Sequence, residues 1–142
     1  MTDAVYQKAI MQLARDRSTA GRLDAPDGTA TVDNPMCGDR VTIDLTVGDD
    51  GTVTSVRHTV RGCLLCEAGA ALIGRCGPGA SAAEVAGLAE TLAAFLREEP
   101  VTLPDRWAEA EAFTPVRPVR NRHRCVTLPF EAAAKALRDA LR

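Results

Sequence analysis

The first half of the chain carries two different periodicities of hydrophobic and polar positions. From Asp3 to Arg17 the apolar residues recur three or four positions apart, which predicts an amphipathic helix. Between positions 41 and 47 apolar and polar residues alternate, as is typical of a half-buried strand. Residues 48–51 predict a turn, and the valine- and threonine-rich stretch 52–60 predicts a partner strand. A short strand at 29–32 would complete a small antiparallel sheet.

The next part of the chain has a helical pattern. Residues 63–75 are apolar without alternation and predict a helix that ends near a glycine. Ser81 and Glu84 form a capping-box pattern before an apolar run, so a second helix is expected to reach about Glu99. The stretch from Asp105 to Phe113 then predicts a short helix.

Prolines and arginines precede the last predicted helix. The segment from Pro115 to Arg124 is expected to be extended. Phe130 to Leu141 is rich in alanine and leucine and predicts a helix, with Pro129 in its first turn. The element order predicts an α+β fold, in which an N-terminal helix and a sheet of about three antiparallel strands are followed by helices packed on one face. A chain of 142 residues, 46% of them hydrophobic, is expected to form one domain over residues 1–142.

Composition and charge narrow the class of protein. Lysine and arginine number 17 and aspartate and glutamate 19, for a net charge of −2. That balance argues against a nucleic-acid binder, which needs an excess of positive charge. No apolar run is long enough for a membrane span, and a signal-peptide pattern is missing, so we expect a cytoplasmic protein that binds no membrane. In that reducing compartment the five cysteines favour metal binding or sulfur chemistry.

Three cysteines and one aspartate stand where a shared site is expected. Cys37 and Asp39 are two residues apart just before a strand, and in an extended chain they would face the same side. Cys63 lies at the predicted start of a helix and Cys125 close to the start of another, where free amide groups and the helix dipole stabilise a thiolate. Metal ions bind the thiolate form. These placements favour one metal site built from Cys37, Asp39, Cys63 and Cys125.

The remaining cysteines have simpler interpretations. Cys66 follows Cys63 by three residues, which puts both on one helix face. We expect Cys66 to be a small packed residue, with a further metal ligand or a redox partner of Cys63 as open alternatives. Cys76 is expected in a loop, and His58 is expected to pack in the core.

Three motifs follow one another along the chain. They are Asn34-Pro35-Met36-Cys37-Gly38-Asp39, then Gly62-Cys63 opening an apolar helix, then Cys125 before an alanine-rich helix. Together they resemble the U-type iron–sulfur cluster scaffolds, a family that comprises the NifU N-terminal domain, IscU and SufU. The resemblance implies that Cys37, Cys63 and Cys125 are sulfur ligands, and that Asp39 keeps a bound cluster labile or itself ligates zinc.

Two departures separate the chain from the IscU branch of that family. IscU-like members have a histidine directly before the last cysteine, where this chain has Arg124, and His123 stands one position too early to face the same way. Their Leu-Pro-Pro-Val-Lys chaperone segment is not reproduced either. The long stretch between the last two ligands leaves room for a helical insertion at about 80–114, which is similar to the SufU branch.

The resemblance implies a role in iron–sulfur cluster assembly. The protein is expected to accept sulfur from a cysteine desulfurase and to bind iron or a labile [2Fe-2S] cluster for transfer to recipient apo-proteins, without being an independent enzyme. Cys125 is the predicted sulfur acceptor, because it borders the proline–arginine segment. One alternative is a SufU-like zinc-bound sulfurtransferase that activates the desulfurase through a persulfide on Cys125. Another is a dithiol redox protein that uses Cys63 and Cys66.

Four arginines precede the last cysteine: Arg117, Arg120, Arg122 and Arg124. Two functional roles are open to them. They could offset the negative charge of a site with several thiolates, or dock an acidic face of the desulfurase. The simpler interpretation is a solvated arginine-rich loop.

Overall fold

The structure, a computed structural model, describes residues 2–142 and the side chains from Gln7 onward. The elements in chain order are α1 (Thr2–Arg15), β1 (Gly28–Asn34), β2 (Asp39–Val47), β3 (Val53–Arg61), α2 (Leu64–Cys76), α3 (Ala82–Leu96), the 3-10 helices Asp105–Val116 and Arg120–Arg122, and α4 (His123–Ala140). The predicted α+β fold is therefore confirmed, from the first helix through the sheet to the helices that follow it.

The sheet has the antiparallel order β1-β2-β3. In β2 the apolar members of the alternating pattern, Val41, Ile43 and Leu45, are buried, because that face of the sheet is covered by helices. Helix α4 packs on β1 and β2 and also contacts α2 and α3. The last helix is thus central to the core, and it brings its first turn to the end of the sheet where β2 begins. Within the described residues, no helix is both long and apolar enough to cross a membrane.

The capping prediction for α3 is confirmed in part. Ser81 Oγ accepts a hydrogen bond from the amide of Glu84 at 3.2 Å. The Glu84 carboxylate pairs instead with Arg106 at 3.4 Å. The stretch interpreted as an insertion, residues 80–114, holds α3 and most of the first 3-10 helix. Trp107 fixes this region to the core, because its fully buried ring lies edge-on to that of Phe130 with centroids 6.1 Å apart.

The prediction of an extended segment from Pro115 to Arg124 is wrong. Successive 3-10 turns run through it, with hydrogen bonds such as Arg122 amide to Val119 carbonyl at 2.9 Å. Proline fits these turns because its fixed φ is close to the helical value. Each proline leaves only one amide hydrogen bond unmade. Helix α4 also begins at His123 rather than Phe130, so Pro129 lies in the helix interior and not in its first turn.

His58 packs in the core as the sequence predicts. Its side chain is 2% exposed, and its Nε2 lies 3.0 Å from Thr19 Oγ1. Burial lowers the pKa of His58 from 6.5 to about 4, with a further contribution from Arg17. Because the pKa is lower in the folded state, the contribution to stability is complete above the unfolded value and is lost as the pH falls from 6.5 towards 4.

We expect the free energy of unfolding to fall by about 2 kcal/mol more between pH 7 and pH 5 in the parent protein than in a His58→Gln variant. Glutamine does not titrate, and its amide can keep a hydrogen bond to Thr19. Urea unfolding at pH 7, 6 and 5 measures the difference. Identical pH slopes for the two proteins would show that His58 is not buried in its neutral form.

Candidate functional site

The turn between β1 and β2 positions the first two predicted site residues. The Asn34 carbonyl accepts hydrogen bonds from the amides of Cys37 at 3.1 Å and Gly38 at 2.9 Å. Gly38 has φ +72°, a left-handed value that glycine adopts without strain. Cys37 is exposed in this turn, whereas Asp39 is buried as the first residue of β2. The expectation of an extended chain at Cys37 is therefore wrong, although Cys37 and Asp39 still face one site.

The Asp39 carboxylate is held against the junction between β3 and α2. Its Oδ1 accepts a hydrogen bond from the Cys63 amide at 3.0 Å, and its Oδ2 lies 3.8 Å from Cys63 Sγ. The carboxylate fits there because residue 62 is glycine, and a Cβ at that position would overlap its oxygen. The Gly62-Cys63 pair thus provides both the space for Asp39 and an amide that orients it.

Cys63 is the N-cap of α2, with φ −82° and ψ 169°, as its predicted place at a helix start requires. The pKa of its thiol is lowered, because the neighbouring Cys66 thiol and amide and the Arg122 guanidinium favour the charged sulfur and outweigh its burial. Cys63 is therefore prepared to be a thiolate before any metal binds.

Cys125 lies in the first turn of α4, fully buried, with its Sγ 3.9 Å from Cys37 Sγ. Its position near a helix start was predicted, but the expected stabilisation of its thiolate is not found. Burial and the neighbouring Cys63 thiolate raise the pKa of Cys125. Metal binding must then displace its proton to a base, because the free site favours the thiol.

The ligand atoms form two overlapping groups. Cys37, Asp39 and Cys125 have donor atoms within 4.8 Å of one another, and so do Asp39, Cys63 and Cys66. Zinc–sulfur bonds are about 2.3 Å long, so two sulfurs on one tetrahedral ion are about 3.8 Å apart. The sulfur–sulfur and sulfur–oxygen distances given above match that spacing. Each group therefore fits a thiophilic metal, with Asp39 as the donor common to both, although Cys63 does not lie within 4.8 Å of both Cys37 and Cys125.

Other candidate residues have different surroundings. His123 Nε2 donates to the carbonyl of Arg117 at 2.9 Å, which occupies it away from the thiols. Cys76, expected in a loop, is instead the last residue of α2 and is half-buried. Arg124 pairs with Glu131 at 3.3 Å. One of the four arginines, by contrast, has its guanidinium close to the cysteine sulfurs.

That arginine is Arg122, whose pKa is raised by the sulfurs of Cys63 and Cys125 close to its guanidinium. It can offset the negative charge of the site, one of the two functions expected for the cluster. Sequence reasoning could not single it out, because the side-chain directions depend on the 3-10 turn that precedes α4. The close contact of Cys66 with the main chain of Cys125 was also missed.

The fold and the donor set define a small α+β protein with a thiol–carboxylate site suited to a metal ion. The chain belongs to the NifU-like N-terminal domain family, which matches residues 5–105. Cys37, Asp39 and Cys63 lie within that range, while Cys125 lies beyond it. The predicted resemblance to U-type scaffolds is confirmed by this match and by the solved structures that are similar to the chain.

A crystal structure of a nitrogen-fixing NifU-like protein (N-terminal) from Brucella abortus is 33% identical, with a TM-score of 0.88 and coverage of 99% of this chain and 96% of that one. A second similar structure is described as an iron-sulfur cluster assembly scaffold protein for the SUF system from Fervidobacterium islandicum. It is 18% identical, with a TM-score of 0.85 and coverage of 96% and 99%, and shows the shared fold. Among curated proteins no match is found.

Proposed function

We propose that this protein is an iron–sulfur cluster assembly scaffold that binds iron or a labile [2Fe-2S] cluster through Cys37, Asp39, Cys63 and Cys125. The observation that carries the proposal is the buried Asp39 carboxylate, held by the Cys63 amide next to four thiols, three of which belong to the proposed ligands. Thiolates retain a thiophilic metal, and a hard oxygen donor among them weakens the site. A scaffold needs this balance, because it has to assemble a cluster and then release it to recipient apo-proteins.

The sulfur would come from the persulfide of a cysteine desulfurase. Cys125 is fully buried and Cys37 is exposed, so the incoming persulfide reaches Cys37 first. The Cys37 thiolate attacks the outer sulfur, the desulfurase cysteine leaves as a thiolate, and Cys37 carries the persulfide. Cys125, whose sulfur is 3.9 Å from that of Cys37, then attacks the outer sulfur, the Cys37 sulfur leaves, and the proton of Cys125 passes to it, so that Cys37 is restored as a thiol. Cys125 thus remains the sulfur acceptor, with Cys37 as its entry point.

The same donor set favours a second function, because three cysteines and one carboxylate also suit tetrahedral zinc. In that case the protein is a zinc-bound sulfurtransferase that activates the desulfurase and carries no cluster. A dithiol redox role for Cys63 and Cys66 has support of its own, because the two sulfurs are close together. The Cys66 thiol helps to lower the pKa of Cys63, while the Cys63 sulfur and burial raise that of Cys66. That role requires function to be lost on Cys66→Ser and kept on Cys125→Ser.

The test is the metal and acid-labile sulfide content of protein purified without oxygen or chelators, for the parent and Asp39→Ala. A cluster scaffold contains iron and sulfide in equal amounts, and its charge-transfer absorption persists longer in Asp39→Ala when an apo-acceptor is added. One zinc per chain without sulfide, lost in Asp39→Ala, would replace the scaffold by the zinc-bound sulfurtransferase. Protein without metal in either form would contradict both and leave the dithiol role.

A further inference from the structure

Pro129 removes a backbone donor from the interior of α4. A proline inside a helix cannot donate to the carbonyl four residues earlier, which here belongs to Cys125. Cys125 is fully buried, so water does not readily supply the missing hydrogen bond. Another donor is therefore needed next to the backbone of this predicted ligand.

The Cys66 thiol provides that donor. Its Sγ is 3.2 Å from the Cys125 carbonyl oxygen, and its side chain is 0% exposed. Helices α2 and α4 come this close because residue 69 is glycine, where a Cβ would lie 3.1 Å from Pro129 Cγ and 3.2 Å from the Val126 carbonyl oxygen. Cys66, Gly69 and Pro129 thus form one contact between the helix that follows Cys63 and the helix that carries Cys125.

We propose that Cys66 is a positioning residue whose thiol replaces the amide N–H missing at Pro129 and so holds the backbone of Cys125 beside Cys63. The inference rests on the proposed function, since Cys63 and Cys125 are two of the proposed ligands, but the contact itself belongs to the metal-free chain. Cys66 has one proton to donate. The Cys63 sulfur is also near it, and the 3.2 Å contact to the carbonyl is the one with hydrogen-bond geometry.

A ligand role for Cys66 makes the opposite predictions. Its sulfur lies within 4.8 Å of donor atoms of Asp39 and Cys63, so distance alone allows ligation. A ligand has to be a thiolate, which serine does not replace, whereas a serine hydroxyl can still donate to the carbonyl. If Cys66 acts as a hydrogen-bond donor, restoring the amide at position 129 makes that donor unnecessary. If Cys66 is a metal ligand, restoring the amide does not change the effect of losing Cys66.

The experiment compares Cys66→Ala, Cys66→Ser, Pro129→Ala and the double variant Cys66→Ala/Pro129→Ala with the parent. In metal-free protein, the rate at which iodoacetamide alkylates Cys125 is measured by peptide mass spectrometry, with circular dichroism as the check on folding. We expect Cys66→Ala to raise that rate about 10-fold and Cys66→Ser to stay within about 3-fold of the parent. The double variant should stay within about 3-fold of Pro129→Ala.

The variants in which Cys125 is alkylated faster should also bind Zn²⁺ more weakly, as measured by competition with a chelator. An equal effect of Cys66→Ala with and without Pro129 would overturn the proposal, as would equal losses of Zn²⁺ affinity in Cys66→Ser and Cys66→Ala. A parent protein that is purified without iron and sulfide would count against the proposed scaffold function alone, because the alkylation pattern is read without any metal.

Discussion

Replacing Cys63 by serine is expected to abolish tight metal binding while the fold stays intact. Cys63 is the N-cap of α2, and the pKa of its thiol is lowered. A serine hydroxyl keeps the size of the side chain but does not ionise near neutral pH. Structural zinc sites contribute about 10–16 kcal/mol over four ligands, so the loss of one should raise the apparent Kd about 100- to 1000-fold.

The matched control is Cys76→Ser, which changes a half-buried cysteine at the last residue of α2. Competition titration with Zn²⁺ should give the parent affinity for this variant, and circular dichroism should show the same helix content for both. A Cys63→Ser protein that binds Zn²⁺ within a few-fold of the parent would mean that Cys63 is not a ligand.

Adding one methyl group at Gly62 is expected to weaken the same site without removing any ligand. A Cβ at position 62 would overlap the Asp39 carboxylate. Either that carboxylate rotates or the junction between β3 and α2 shifts, and both changes break its hydrogen bond to the Cys63 amide. Groups that orient metal ligands are worth about 10- to 100-fold in affinity, and we expect a loss in that range for Gly62→Ala.

Gly87→Ala is the control for this substitution. Gly87 lies inside α3, and a Cβ there would meet nothing within 4 Å. That variant should keep the parent Zn²⁺ affinity and gain about 0.5–1 kcal/mol in stability, because alanine is the better helix residue. If Gly62→Ala bound Zn²⁺ as tightly as the parent, Asp39 would not contribute to the site in the way the structure indicates.

Local patterns were sufficient to predict the framework of this protein. Alternation in β2 and the capping residue Ser81 act over a few residues, and both are found as expected. The placement of Cys63 at a helix start was predictable for the same reason. For Cys37 and Asp39, nearness was predicted from an extended chain, whereas the structure achieves it with a turn closed by the Asn34 carbonyl.

Features that depend on tertiary contacts were not predictable. Pro129 looked like a first-turn residue, because nothing in the sequence indicates that the Cys66 thiol can supply a hydrogen bond inside the helix. The raised pKa of Cys125 comes from burial and from the Cys63 thiolate, and both appear only when α2 and α4 are packed together. The nearness of the Arg122 guanidinium to the cysteine sulfurs likewise depends on how the 3-10 turns approach α4.

The ligand shell of the metal tests the central claim most directly. X-ray absorption at the zinc edge of the Zn²⁺-loaded protein counts the sulfur and the oxygen or nitrogen neighbours of the ion. We predict three sulfurs at about 2.3 Å and one oxygen at about 2.0–2.2 Å, with that oxygen lost or replaced by a solvent molecule in Asp39→Ala. A shell of four sulfurs would contradict the account, because Cys66 would then be a ligand and Asp39 would not.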